Sequence, residues 1–312
     1  TSSGGDDLDW VRRIVSRRAV WIMPTANAWG YYHNTREELE VDPNRDFPYN
    51  VEDPKKCMVT TAARALNELW RRHAFQLAIT FHVGQQSISS NWGAYNHPTP
   101  RDIPPDDVAQ MQIIKSMSEF GGEFAEGDRA PYGYGRLNDN VYPVNGGMED
   151  WAYAASWEAG TLKRGCEPTT FGGYDITRTN EYDSASVRAF NILVETSDDK
   201  SPPDGAMGRR AGVLDAEAEG GNGHIPRNMR LALLLADIVE PYVTWANPLM
   251  QVAADLSAVA PLEVGEGGVT GGRGGASLPA VPISWRVGGA MHVDASEVVL
   301  VRWPAEKFEG LG

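Results

Sequence analysis

The 312-residue chain is 42% hydrophobic and carries 10 Trp, enough apolar surface for a substantial core and too much for wholesale disorder. Its formal charge of -14 argues against nucleic acid and anionic membrane surfaces as partners, since both repel a polyanion. No run of about 18 apolar residues exists, so no membrane-spanning helix is expected; the longest candidate, residues 231–236, is flanked by Arg230 and Asp237.

The first residues, Thr1-Ser2-Ser3-Gly4-Gly5, lack a Met and form no signal peptide, so the chain reads as a fragment or processed product. Residues 6–17 read as a short amphipathic helix with Leu8, Val11, Ile14 and Val15 on one face. Residues 19–24 read as a buried strand, and a polar loop follows over 25–55. Helical spacing of Ala62, Ala63, Ala65, Leu66 and Leu69 predicts a helix over 58–73. Residues 75–81 predict a second buried strand that ends at His82. Pro104-Pro105-Asp106-Asp107 starts a helix that runs over 108–120.

Residues 121–147 read as irregular, 149–157 as a short helix and 159–186 as a polar excursion containing Cys166. That excursion either narrows access to a cleft or ties back to Cys57; the two cysteines form one disulfide or stay free. The compartment stays open, with a secreted or lumenal one favoured. A third strand, 189–195, closes on Glu195, and a helix spans 226–239. Beyond about 245 the texture changes. A Gly-rich stretch at 265–275 leads into alternating runs at 281–287, 290–293 and 298–303, which read as a small β-sandwich-like domain. Strands alternating with helices up to about 244 predict an α/β fold, a mixed central sheet with helices on both faces. Ligands on such sheets bind near the carboxyl ends of strands, where His82 and Glu195 both fall.

The chemistry gathers in three places. Asn44 and Arg45 lie in a short acidic loop, where an amide and a planar guanidinium can grip a carboxylate together. His82 closes one apolar strand. Glu195 closes another, and a carboxylate beside a hydrophobic wall can serve as a general base. His33 and His97 read as loop residues at the surface or lining a cleft, and Trp92-Gly93-Ala94-Tyr95 either walls that cleft or packs in the core.

Five segments in order resemble the zinc carboxypeptidase family, over about residues 6–244. They are residues 22–31, Val41-Asp42-Pro43-Asn44-Arg45-Asp46-Phe47-Pro48, Ala78-Ile79-Thr80-Phe81-His82, residues 142–151 with Asn145-Gly146-Gly147-Met148, and Phe190-Asn191-Ile192-Leu193-Val194-Glu195. The resemblance implies a zinc-dependent exopeptidase acting on peptide or protein C-termini. It implies that His82 is a zinc ligand and that Arg36 polarises the scissile carbonyl. Asn44 and Arg45 would hold the terminal carboxylate, Tyr142 would close over the peptide end, and Glu195 would be the general base. Glu149 falls at the base of the side-chain pocket, where an acid favours a terminal Lys or Arg; the other reading is an acid that suits the start of a helix.

The family's first two zinc ligands come from a His-x-x-Glu motif upstream of the strand at 19–24. None of the six His here is followed by Glu three residues on, so the remaining Zn2+ ligands are expected outside this chain. Three explanations stand side by side: a complementing N-terminal segment or chain, a degenerate relative that binds or scaffolds, and a truncated product. The sequence thus predicts a carboxypeptidase-like domain at 1–244 and a β domain at 245–312. The function read from it is metallocarboxypeptidase, with an inactive structural or binding subunit of a larger assembly as the alternative.

Overall fold

The computed structural model describes residues 4–98, 101–124, 131–155, 158, 165–178, 189–216 and 218–239, together with four short strands after residue 240. The chain divides into two compact units, Thr1–Val239 and Glu240–Gly312.

The first unit is built on a mixed four-stranded sheet. Its strands are β1 (Leu77–His82), β2 (Gln85–Ser90), β3 (Gly133–Arg136) and β4 (Phe190–Ser197), in the spatial order β1-β4-β2-β3. β4 runs parallel to β1 and antiparallel to β2, while β2 and β3 are parallel. An internal position explains the composition of β4: Phe190 to Val194 are all buried and, apart from Asn191, apolar, as suits a strand covered on both faces. β1 and β2 follow one another in sequence yet flank β4. Gly84 makes this crossing with φ +135, a conformation that side-chain-bearing residues rarely adopt, and its N–H bonds Ser197 O at 2.8 Å.

The helices are α1 (Gly4–Arg17), α2 (Ala28–His33), α3 (Thr61–Trp70), α4 (Asp107–Gly121), α5 (Leu137–Asn140), α6 (Met148–Ala154) and α7 (His224–Ile238). α4 packs on α7 and on β2 and β3, burying Ile113, Ile114 and Met117 with Leu231, Leu235 and Ile238. Every residue of α6 is buried; Tyr153 meets Phe190 of β4, and Trp151 meets Phe47. Trp10 of α1 sets its ring edge-on to Phe120. Arg18 donates to Ala236 O and Asp237 O, carbonyls that the end of α7 leaves without intrahelical partners. Asp107 and Arg136 form a two-point ion pair at 2.6 and 2.9 Å that pins α4 to β3.

The α/β fold expected from the sequence is the fold that forms, and the elements containing His82 and Glu195 lie where they were read. The run 19–24 is different. It forms no strand, and Val20, Trp21 and Ile22 are exposed. An apolar run becomes a strand only beside a ladder partner, and among the described residues the sheet ends at β1. Two strands were not foreseen: β2, with the polar sequence Gln85-Gln86-Ser87-Ile88-Ser89-Ser90, and β3, inside the stretch read as irregular.

The excursion after α6 ties back to the body. Cys57 and Cys166 form a disulfide with a Cα–Cα distance of 5.5 Å. The turns at Thr170–Gly172 and Ile176–Arg178 grip α3 through Arg64 to Thr170 O, Asn67 to Arg178 O, and the Glu68–Arg178 ion pair.

In the second unit, β5 (Tyr242–Trp245) pairs antiparallel with β8 (Trp285–Gly288), and β6 (Leu262–Gly265) with β7 (Gly268–Gly271). The Gly-rich stretch thus includes a hairpin. The runs predicted at 290–293 and 298–303 lie outside the described residues.

Candidate active site

The loop that carries Asn44 and Arg45 is fastened at its base by two buried acids. Glu38 accepts the Thr61 and Ala62 N–H groups at 2.8 and 3.1 Å, and Asp46 accepts Val59 N, Thr60 N and Thr60 Oγ1. The Thr60, Thr61 and Ala62 N–H groups are donors that the start of α3 leaves unpaired, so capping the helix also anchors the loop. Burial pushes the Asp46 carboxyl up to about 6. Asp42 accepts Asn44 N and starts the tight turn Pro43–Arg45. On the far side, Phe47 N–H bonds Gly146 O and Gly146 N–H bonds Tyr49 O. Gly146 has φ +71, and a Cβ there would lie 2.2 Å from Arg45 O, so the loops come this close only with glycine.

His82 and Glu195 are register partners at the ends of β1 and β4. One Glu195 oxygen, Oε2, is buried with no hydrogen-bond partner. Burial, helped by the charge of Glu149, lifts the Glu195 carboxyl above its ordinary value against the pull of His82, Arg36 and Lys200. Arg36 donates to Asp42 at 2.8 Å. Its guanidinium is held above its ordinary value although burial, the largest influence, acts the other way; Asp42, Tyr142 and Glu195 outweigh it. Arg45 donates to Asn44 O at 2.6 Å and to the Tyr142 hydroxyl at 3.3 Å, and its guanidinium lies 5.9 Å from the Tyr142 ring centroid. Tyr142 is exposed.

His82, Asn44 and Glu149 make direct contacts: Asn44 Nδ2 is 3.3 Å from His82 Nε2 and 3.4 Å from Glu149 Oε2. Arg45 and Tyr142 form a second contact pair, and Arg36 lies near enough to Glu195 to feel its charge. Glu149 is buried in the first turn of α6, its Oε1 accepting from Thr80 Oγ1 at 3.0 Å. Sequence reading missed Thr80 and Lys200. Thr80 stands two residues before His82 and so shares its side of β1, a signal that strand alternation could have supplied. Lys200 lies in a polar loop with no such signal.

A basic guanidinium and hydroxyl pair, a strand-end imidazole and a buried carboxylate thus surround the carboxyl ends of β1 and β4. Residues 6–172 match the family described as zinc carboxypeptidase. The chain belongs to the zinc carboxypeptidase family. No curated protein matches it. At family level this gives a metallocarboxypeptidase-like protein whose relatives bind Zn2+ and act on peptides. A catalytic zinc site needs about three protein ligands. Among the described residues no group of three or more His, Cys, Asp or Glu could hold a metal ion, so they do not fit the zinc on their own. Among the same residues, no helix is long and apolar enough to cross a membrane.

Two further expectations resolve here. His97, read as a loop residue, is 6% exposed, and Trp92 is core, its ring stacked on His97 at 3.8 Å. Tyr95 of the same segment is exposed.

Proposed function

We propose that residues 1–244 are the carboxypeptidase domain of a protein that removes C-terminal residues from peptides in a zinc-dependent reaction, with 245–312 as a small β module. Arg45, backed by Tyr142 and the Asn44 turn, holds the free terminal carboxylate; a charged, forked donor suits that anion. Arg36 faces the scissile carbonyl, and Glu195 receives the proton of the attacking water. The observation that carries this reading is the pairing of His82 with Glu195 in register, with the Arg45–Tyr142 pair beside Asn44 and Asn44 in contact with His82.

The metal ligands missing from the described residues would come from a complementing N-terminal segment or chain. What supports this is the edge position of β1, since an edge strand beside His82 is a template for another. The lack of a ligand cluster favours a second reading, a binding or scaffolding subunit that recognises peptide ends without cleaving them.

The test compares peptides with free and amidated C-termini for binding, measures release of the last residue, and measures zinc in the purified protein. Tighter binding of the free acids, with release that tracks zinc content, is the expected result. Binding without release or zinc selects the scaffold. Equal binding of acid and amide overturns both.

A further inference from the structure

An open groove of about 550 Å³ is lined by Trp29, His33, Thr35, Glu37, Leu39 and Glu40. Thr35 and Glu37 flank Arg36 in the chain, and Arg36 bonds Asp42 at the head of the Asn44 turn, so the groove adjoins the candidate site. Its wall is aromatic, aliphatic and acidic at once. Trp29 is 44% exposed, and His33 packs on it with ring centroids 4.1 Å apart, which holds the indole in place. Leu39, Glu37 and Glu40 are exposed. Neither glutamate has an ion-pair partner for its carboxylate among the described residues. The neighbouring guanidiniums do not neutralise them, since Arg36 and Arg45 both turn to Asp42, at 2.8 and 3.9 Å.

The turn that presents Leu39 and Glu40 runs against backbone preference. Glu38 and Val41 exchange two backbone bonds around it, at 2.9 and 3.0 Å. Leu39 and Glu40 have φ +51 and +68, the signs of a type I′ turn, where Asn-Gly is the relaxed choice. Leucine and glutamate held there at a cost point to a use for their side chains.

We propose that this groove is an accessory subsite that takes a Lys or Arg side chain of the substrate, upstream of the scissile bond. This rests on the carboxypeptidase reading of the cleft and adds a preference away from the peptide end. The methylene stem would lie along Leu39 and the cationic head against Trp29, with Glu37 and Glu40 supplying the opposite charge. An acidic side chain would meet two carboxylates there instead.

The experiment is calorimetric titration at low salt of free-acid peptides that carry Lys, Ala or Glu one, two or three residues before the last. Lys should bind more tightly than Ala by about threefold to tenfold at one position or more, and Glu more weakly than Ala. A chain of charge -14 attracts any cationic peptide, so surface variants decide whether the groove is responsible. W29A, which alters no charge, and E37Q/E40Q should each cut the Lys preference to about twofold or less. L39N/E40G should do the same with the fold intact, because Asn-Gly suits the turn. Affinity for the Ala peptides should stay within about twofold in all three variants.

Equal binding of Lys and Ala peptides at every position overturns the proposal. So does a Lys preference that either W29A or E37Q/E40Q leaves intact. A preference for free acid over amide without one for Lys sinks the groove and leaves the cleft standing; equal binding of acid and amide sinks both.

Discussion

Glu195 lies directly across the β1–β4 ladder from His82, and one of its carboxylate oxygens is buried without a partner. A buried acceptor left unpaired costs about 1–3 kcal/mol, so this carboxylate is retained against stability. Such a cost is expected where a group must be available to react. E195Q should keep peptide binding and abolish release of the terminal residue. It should also raise the unfolding free energy by about 1 kcal/mol, because a neutral amide is less costly to bury than a carboxylate. Urea unfolding of the pair checks the second part; a destabilised E195Q would mean that Glu195 is held by bonds that count.

Arg45 is the group best placed for a terminal carboxylate. Two of its nitrogens bond Asn44 O and the Tyr142 hydroxyl, which aims the guanidinium while leaving other donors for a ligand. A hydrogen bond involving charge is worth about 1.5–3 kcal/mol, so R45A should weaken free-acid peptides by roughly tenfold to a hundredfold. Amidated peptides should be almost unaffected. Y142F should show a smaller loss in the same direction, through a less well aimed Arg45. Calorimetric titration separates the two classes of peptide; an equal loss for acid and amide would remove Arg45 from the carboxylate site.

Most of the sheet and its helices were legible because their residues alternate or recur with a definite period. β4 opens on a run that is apolar but for Asn191, and α4 and α7 present apolar faces. β2 was not legible, since it buries Ser87, Ser89 and Ser90, and nothing local marks a serine as interior. Residues 19–24 have a strand's composition without a strand's neighbour. In the site, individual residue types and their order could be read, but their pairing could not. The Asn44 side chain contacts His82, Met148 and Glu149, which lie on other elements.

The Cys57–Cys166 bond closes a loop with a sequence separation of 109, and both sulfurs are buried. A cross-link of that span restricts the unfolded chain strongly, by about 4–5 kcal/mol in the chain-entropy view. Replacing both cysteines by Ser should lower the unfolding free energy by roughly 3–5 kcal/mol. The Arg64, Asn67 and Glu68 contacts to residues 170–178 should loosen with it. Hydrogen exchange at those residues reports the second effect; unchanged protection there would show that the ion pairs hold the excursion by themselves.

His97 should make stability fall as pH rises. Its Nδ1 is 2.6 Å from Asp102 and its Nε2 is 2.9 Å from both Glu158 and the Tyr49 hydroxyl, with Asp150 adding negative charge nearby. Burial, the largest influence, lowers the imidazole's value, but bonds to Glu158 and Asp102 outweigh it and the net direction is upward. Folding therefore binds this proton more tightly. The stabilisation is complete below the ordinary value of 6.5 and is lost as pH rises through the higher folded value. Asp46 and Asp150, lifted by burial from 3.8 to about 6, act with the same sign at lower pH, losing their contribution as pH rises toward 6. At about pH 6, H97Q should be less stable than wild type by about 1–3 kcal/mol, the range for a buried charged hydrogen bond, and the gap should narrow by about pH 9. Urea unfolding of both proteins across that range is the measurement; a gap that stays constant would mean that His97 is neutral in the folded chain throughout.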